Sequence, residues 1–364
     1  MKKLIGYFLA IVAVIGLLVM TQTWIAGEEQ ANKPTTADAS TRKPLYLFNW
    51  GNYVDPDLIA KFEAETGYQV IYETFDSNDA MEVKLKQGGT PYDLVFPSES
   101  SVPKLLEQNL LLPLDHSQIH GMENISSFLL DNAFDKGNRY TVPYFWGTIG
   151  MMVNTQQVDV DQIQTWKDLW KPEFKQSILL VDGNRETMGM ALQALGYSQN
   201  SKNRQELAAA ESYLGELTPN VRAVLVEEIK TLMIAGESPI GIGYSGDAAT
   251  VIAENPDIQY VLPKDGGAVW TDNFAIPYTS QNPEGAYAFI NFMLQPENAA
   301  QNALYVAYAT PNEAAKALLP EEVIQDPMLY PDPEQLAAAE HYDYLGKEWL
   351  EIYHDKFLTF KMGL

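Results

Sequence analysis

The chain has 364 residues, with 24 Lys and Arg against 48 Asp and Glu, for a net charge of −24. That acid excess argues against nucleic-acid binding, which needs Lys and Arg for phosphates, and it suits a cationic ligand. Cysteine is absent, which removes disulfides, thiol nucleophiles, Cys-ligated zinc and a lipid-bearing Cys anchor, and only four histidines are available for catalysis or metal binding.

Lys2 and Lys3 precede an apolar run, Leu4–Met20. This reads as a secretory signal or a short membrane anchor, and in either case the remainder faces the outside of the membrane. A cut after Ala26 would leave Trp24 where a small residue is expected, so both readings stay open. Gly27–Thr41 is polar and reads as a flexible tether.

From Leu45 the chain alternates strand and helix. Leu45–Phe48, Val70–Glu73 and Asp93–Phe96 read as strands. Asp57–Glu65, Asn78–Gln87 and Val102–Gln108 read as helices, with Gly67 and Gly88-Gly89 as stops. A second series follows Tyr144-Phe145-Trp146-Gly147. In it, Ile178–Val181, Ile240–Gly243, Gln259–Leu262 and Phe274–Ile276 are expected strands. Trp166–Trp170, Thr187–Leu195, Gln205–Glu216, Ala248–Glu254 and Pro283–Leu294 are expected helices, and the tail adds Pro333–Tyr342 and Gly346–Lys356. Short connections between such elements predict parallel sheets with crossover helices. The pattern implies two α/β lobes, with chain crossings near residues 148 and 271.

In open α/β sheets, ligands bind beyond the carboxyl ends of strands. Those positions hold Asn49, Trp50, Asn52 and Tyr53, then Asp76, Ser77 and Asn78, then Ser98, Glu99 and Ser100. The second series contributes Asp182, Gly183, Arg185 and Glu186, then Tyr244, Ser245 and Asp247. Trp270, Thr271 and Asp272 fall between two late strands. Aromatics and carboxylates with a single base suit an ammonium group. Carboxylates supply charge-assisted hydrogen bonds, and aromatic faces add about 0.5–2 kcal/mol each. Asp247 and Glu186 also sit at predicted helix starts, where acids are favoured in any case.

Ordered stretches across Leu45–Tyr330 carry a resemblance. They include Phe48-Asn49-Trp50-Gly51-Asn52-Tyr53-Val54, Phe75-Asp76-Ser77-Asn78 and Tyr92-Asp93-Leu94-Val95-Phe96-Pro97-Ser98. Further on come Val142-Pro143-Tyr144-Phe145-Trp146-Gly147, the run Trp166–Phe174, and Tyr308-Ala309-Thr310-Pro311-Asn312. The chain resembles the periplasmic polyamine-binding proteins of bacterial spermidine/putrescine ABC transporters. The resemblance implies an α/β, two-lobed periplasmic-binding-protein (Venus-flytrap) fold, type II-like, closing on its ligand. The segments read above would be a signal or anchor over 1–26 and a tether over 27–43. One lobe would be 44–148 plus 272–316, and the other 149–271 plus 325–364.

By the same resemblance, Trp50 and Tyr53 match aromatics of the first-strand loop, and Ser98 a serine lining the site. Glu186 matches a glutamate that meets an amine. Asp272 matches the aspartate at the ligand's other side, with Trp270 as its aromatic neighbour. Tyr308 matches a site tyrosine, Tyr244 stands where Trp is usual, and Asp247 matches an acid of the putrescine-binding branch. Four positions depart from the pattern: Gly183 and Asn52 replace acids, and Ser100 and Tyr342 stand where a tyrosine and a glutamine are expected.

Other motifs carry less. Gly241-Ile242-Gly243-Tyr244-Ser245-Gly246 fits a dinucleotide fingerprint, but two of its glycines fall inside a predicted strand and Asp247 would face a phosphate. Small residues there more simply let Tyr244 and Asp247 reach a cleft. Ser101-Val102-Pro103-Lys104 matches S-x-x-K without the following elements of an acyl-transfer enzyme. His116 and His120 flank a predicted turn and read as solvated.

The expected function is a non-enzymatic, cofactor-free, extracytoplasmic solute-binding protein. It would act as a periplasmic monomer, possible anchoring through 4–20 aside. It would capture a polyamine of the putrescine or spermidine class for an ABC transporter permease. The alternative is a membrane-tethered polyamine sensor of the same fold.

Overall fold

The computed structural model describes residues 42–226 and 228–364. The expected signal or anchor and the tether up to residue 41 lie outside the described residues. Among the described residues, no helix is long and apolar enough to cross a membrane.

Among the described residues, ten strands form one sheet: β1 (Lys43–Trp50), β2 (Tyr68–Phe75), β3 (Leu94–Val95), β4 (Thr141–Asn154), β5 (Ile178–Val181), β6 (Val221–Leu225), β7 (Ile240–Tyr244), β8 (Ile258–Val261), β9 (Ala268–Ala275) and β10 (Glu340–His341). Their order is β2-β1-β3-β9-β4-β7-β5-β6, with β8 paired to β4 and β10 to β9. β1 and β3 run parallel, as do β5, β6 and β7. Parallel pairing is what the alternating strand–helix pattern predicts, since parallel neighbours need a crossover. The central pair, β4 with β9, is antiparallel, with Trp146 opposite Thr271 and Thr148 opposite Val269. Residues 148 and 271, near which the sequence suggested crossings, therefore lie on neighbouring rungs of one ladder.

Local chemistry sets the helices. Pro56–Thr66 starts at Asp55, whose side chain accepts from the Asp57 N–H, and ends at Gly67 in the left-handed region at φ 77°. Asn78–Gln87 starts at Ser77, which accepts from the Ala80 N–H. The C-terminal helix, Lys347–Met362, docks through buried Tyr353, whose hydroxyl donates to the carbonyls of Gln199 (2.9 Å) and Ser201 (3.0 Å).

Several elements differ from the sequence expectation. β4 runs for 14 residues, every one buried, where the sequence suggested only a junction. Strands buried on both faces lose the alternation that marks a half-exposed strand, and Pro143 reads as a breaker. The ladder absorbs that proline by a register shift between Pro143 and Phe145. Trp270, Thr271 and Asp272 lie inside β9, not between strands. The helix expected over Pro333–Tyr342 stops at Leu336, and Glu340–His341 pairs with Ala268–Val269 of β9 instead. β3 meets β9 only at Ala275, so β10 satisfies backbone groups that β9 would otherwise leave open. β6 and the helix Pro296–Val306 were not anticipated.

Candidate functional site

β9 sets the geometry of the site. Residues two apart on a strand share a face, so Trp270 and Asp272 project together. Across the ladder they meet Gly147 and Phe145. A Cβ at residue 147 would lie 2.6 Å from the Trp270 ring, so glycine there lets the indole lie flat on β4.

Asp272 is 5% exposed and accepts two hydrogen bonds. Tyr53 Oη donates to Oδ2 at 2.5 Å, and Ser98 Oγ donates to Oδ1 at 2.6 Å. Asn78 Nδ2 in turn donates to Ser98 Oγ at 3.1 Å, which aims the serine proton at Asp272. Burial pushes the Asp272 carboxyl up to about 6, against the opposing pull of the Ser98 and Tyr53 hydrogen bonds. Burial and the nearby Asp272 charge hold Tyr53 well above the ordinary phenol range, so it remains a donor.

Glu186 lies in the first turn of the helix Asn184–Ala194, one turn earlier than the sequence suggested. Tyr244 Oη donates to Glu186 Oε1 at 3.0 Å. Burial, then the Glu186 charge, raise Tyr244 well above its ordinary value, which keeps that proton in place. A Cβ at residue 183 would collide with the Glu186 carboxylate, so Gly183 leaves the notch into which that carboxylate folds. Asp247, on the helix Ser245–Glu254, forms an ion pair with Lys230 at 3.1 Å.

Aromatics connect these groups. Ring centroids lie 5.5 Å apart for Tyr53 and Tyr308, 5.1 Å for Tyr308 and Trp270, and 6.3 Å for Trp270 and Tyr244. All three contacts are edge-to-face, the arrangement the ring quadrupole favours. Gly246 makes room for the Tyr308 ring, which a Cβ there would overlap. Its role is thus to admit Tyr308, rather than to free Tyr244 and Asp247. Trp50 stands apart from the other aromatics. It is half-buried, its ring meets Phe75 at 4.5 Å, and its Nε1 donates to the Phe96 carbonyl at 3.0 Å.

Three further residues, Glu99, Arg185 and Tyr342, belong to this neighbourhood. Glu99 follows Ser98 and is 1% exposed. It stood among the strand-end residues of the sequence but was not advanced as a candidate. The only available signal was its place directly after Ser98. Arg185 is spent on structure: Nη1 donates to the Asp343 carbonyl (3.1 Å), Nη2 to Asn200 Oδ1 (2.7 Å), and the guanidinium lies over the rings of Tyr342 and Tyr353. Tyr342 is buried within electrostatic reach of Glu186, Arg185 and Glu99. Among the described residues, no cluster of His, Asp and Glu is arranged to hold a metal ion. His116 instead bonds through Nε2 to the Asn138 carbonyl.

Residues 57–331 match the family model described as bacterial extracellular solute-binding protein. The spermidine/putrescine-binding periplasmic protein of Salmonella typhimurium is 39% identical over 331 residues, covering 90% of this chain and 94% of its own length. The putrescine-binding periplasmic protein PotF of Escherichia coli is 31% identical over 312 residues, covering 80% of this chain and 84% of its own. The crystal structure of the spermidine/putrescine ABC transporter substrate-binding protein PotD from Streptococcus pneumoniae matches with a TM-score of 0.84 at 48% identity, covering 88% of this chain and 99% of that chain. These relatives are named for binding and transport, not for catalysis. The chain belongs to the bacterial extracellular solute-binding proteins and has their two-lobed α/β fold.

Proposed function

We propose that this protein captures a polyamine of the putrescine or spermidine class outside the cytoplasm and delivers it to an ABC transporter permease. One observation carries the reading most: Asp272 is buried and held by Tyr53 and Ser98, and the Tyr53 ring continues through Tyr308 to Trp270 in edge-to-face contact. A buried carboxylate within an aromatic enclosure is the complement of an alkylammonium ion. Glu186, held by Tyr244, offers a second carboxylate for the other end of a dication.

In this account Asp272 and Glu186 neutralise the ammonium groups. Tyr53, Tyr244, Trp270 and Tyr308 pack on the methylenes and the cations. Ser98 orients Asp272, Trp50 borders the first-strand loop, and Asp247 tunes the far side through Lys230. The lobes are 44–148 with 272–316, and 149–271 with 325–364. Closure of one on the other is driven by contacts that ligand makes only in the closed state. No covalent step is assigned to any residue. The protein works as a monomer in the periplasm, and its permease is the partner that receives the solute. The names of its relatives favour transport over the tethered sensor.

Native mass spectrometry of protein isolated without denaturation tests the solute class. A one-to-one adduct with the mass of a polyamine supports the assignment. An adduct of an acidic or uncharged solute would overturn it.

A further inference from the structure

Glu99 and Asp272 are two carboxyl groups in one buried place. Glu99 is pinned to β9 at the residue before Asp272. The Thr271 N–H donates to Glu99 Oε2 at 2.6 Å, and the Glu99 N–H donates to the Thr271 carbonyl at 2.9 Å. Their exposures are 1% and 5%. Among the described residues, the ion pairs join other groups, and none includes Glu99 or Asp272.

The charged and titratable groups around Glu99 are few. Asp272 on β9 opposes its ionisation. Arg185 on the helix Asn184–Ala194 favours it, while the guanidinium's own hydrogen bonds go to neutral acceptors, the Asp343 carbonyl and Asn200 Oδ1. Tyr342, on the segment after β10, is itself held in the phenol form by burial. Two buried carboxyls that form no ion pair cannot both carry charge cheaply, and at Glu99 the attraction of Arg185 is smaller than the opposing effect of burial. A cation placed between them removes that obstacle.

We propose that Glu99 is a further acid of the binding site, protonated when the cleft holds no cation and ionised when one binds, so that ligand uptake expels a proton. This rests on the reading that the site takes an ammonium ion. The proton leaves the Glu99 carboxyl for bulk buffer, and the ligand's positive charge takes its place. The direction of the Glu99 shift agrees: burial pushes the carboxyl up to about 8, with the Asp272 charge adding to the rise.

The test is calorimetry of the full protein with putrescine and with spermidine, in buffers of different ionisation heat, near neutral pH. Wild type should release close to one proton per ligand, and its affinity should rise about eightfold from roughly pH 6.5 to 7.5. Glu99→Gln keeps the acceptor for Thr271. It should release little and show a rise of less than about twofold over the same interval. Comparing the two at equal pH cancels the titration of the amine itself. Wild-type binding without proton release, or equal release in Glu99→Gln, overturns the proposal.

Carbon-13 NMR of glutamate carboxyls in wild type gives an independent reading should the variant fail to fold. One buried glutamate should be protonated at neutral pH in the empty protein and ionised after putrescine is added. If neither amine binds, the reading of the solute fails. The empty-state signal then judges Glu99 alone, and an ionised Glu99 there overturns the proposal.

Discussion

Tyr53 donates a 2.5 Å hydrogen bond to Asp272 across 219 positions of sequence. That bond ties the loop after β1 to the strand β9, and Ser98 ties the end of β3 to the same carboxylate. Asp272 is thus a structural knot as well as the favoured partner of an ammonium ion. The two roles pull in opposite directions, and this makes them separable by experiment.

Asp272→Asn should weaken amine binding more than about tenfold, because it removes the charge that pairs the cation. The same change should shift the stability of the ligand-free protein little at neutral pH, because relief from desolvation is offset by the amide nitrogen that replaces one of the two oxygens accepting from Tyr53 and Ser98. Burial disfavours the ionised carboxyl, and asparagine carries no charge to desolvate. Titration calorimetry and thermal unfolding of one sample measure both. A loss of stability together with unchanged affinity would place Asp272 in the scaffold alone.

Gly183→Ala should reduce amine affinity several-fold with little change in melting temperature. The backbone at residue 183 is extended, with φ −135°, so alanine fits the chain. Its methyl group would displace the Glu186 carboxylate from its notch and from the Tyr244 hydroxyl. A crystal structure of the variant with Glu186 unmoved would show that the notch does not set its position.

Gly246→Ala acts by a different route. The new Cβ would overlap the Tyr308 ring, which is fixed between Tyr53 and Trp270. Overpacking of this kind costs about 1–3 kcal/mol. Both melting temperature and amine affinity should fall, and the double variant with Tyr308→Ala should recover much of the stability but not the binding.

The pH dependence of ligand-free stability follows from the direction of three shifts. Glu99 and Asp272 are raised on folding, from 4.5 to about 8 and from 3.8 to about 6. The native state therefore holds protons that the unfolded chain releases, and stability falls as pH rises through those windows. His341 is lowered by burial from 6.5 to about 4, beside Phe128 with ring centroids 5.0 Å apart. There the unfolded chain takes up the proton first, so stability falls as pH drops from about 6.5 to about 4. The effects oppose each other in that lower interval. Above it, up to about pH 8, Glu99 is the one of these three groups that acts. Chemical denaturation should show stability declining there in wild type and flat in Glu99→Gln.

Much of this architecture can be read before folding. Ile178–Val181 and Asn78–Gln87 have the bounds the sequence suggested, since each is closed by strong local signals. β4 escaped because its fourteen buried residues carry no alternation and include a proline. β9 was cut short because its eight buried residues likewise carry no alternation, which hid that Trp270 and Asp272 share a strand face. The aromatic contacts among Tyr53, Tyr308, Trp270 and Tyr244 depend on residues from four separate regions, and no local pattern encodes them. The fate of Arg185 was equally invisible, because its partners Asp343, Tyr342 and Tyr353 arrive only when the C-terminal helix docks.

The measurement that bears most directly on the account is isothermal titration of the ligand-stripped protein with putrescine, cadaverine, spermidine and spermine. Tight one-to-one binding of at least one amine, lost in Asp272→Ala, is the predicted result. Folded, ligand-free protein that gives no heat with any of the four, at several temperatures, would contradict the assignment of a polyamine to this site.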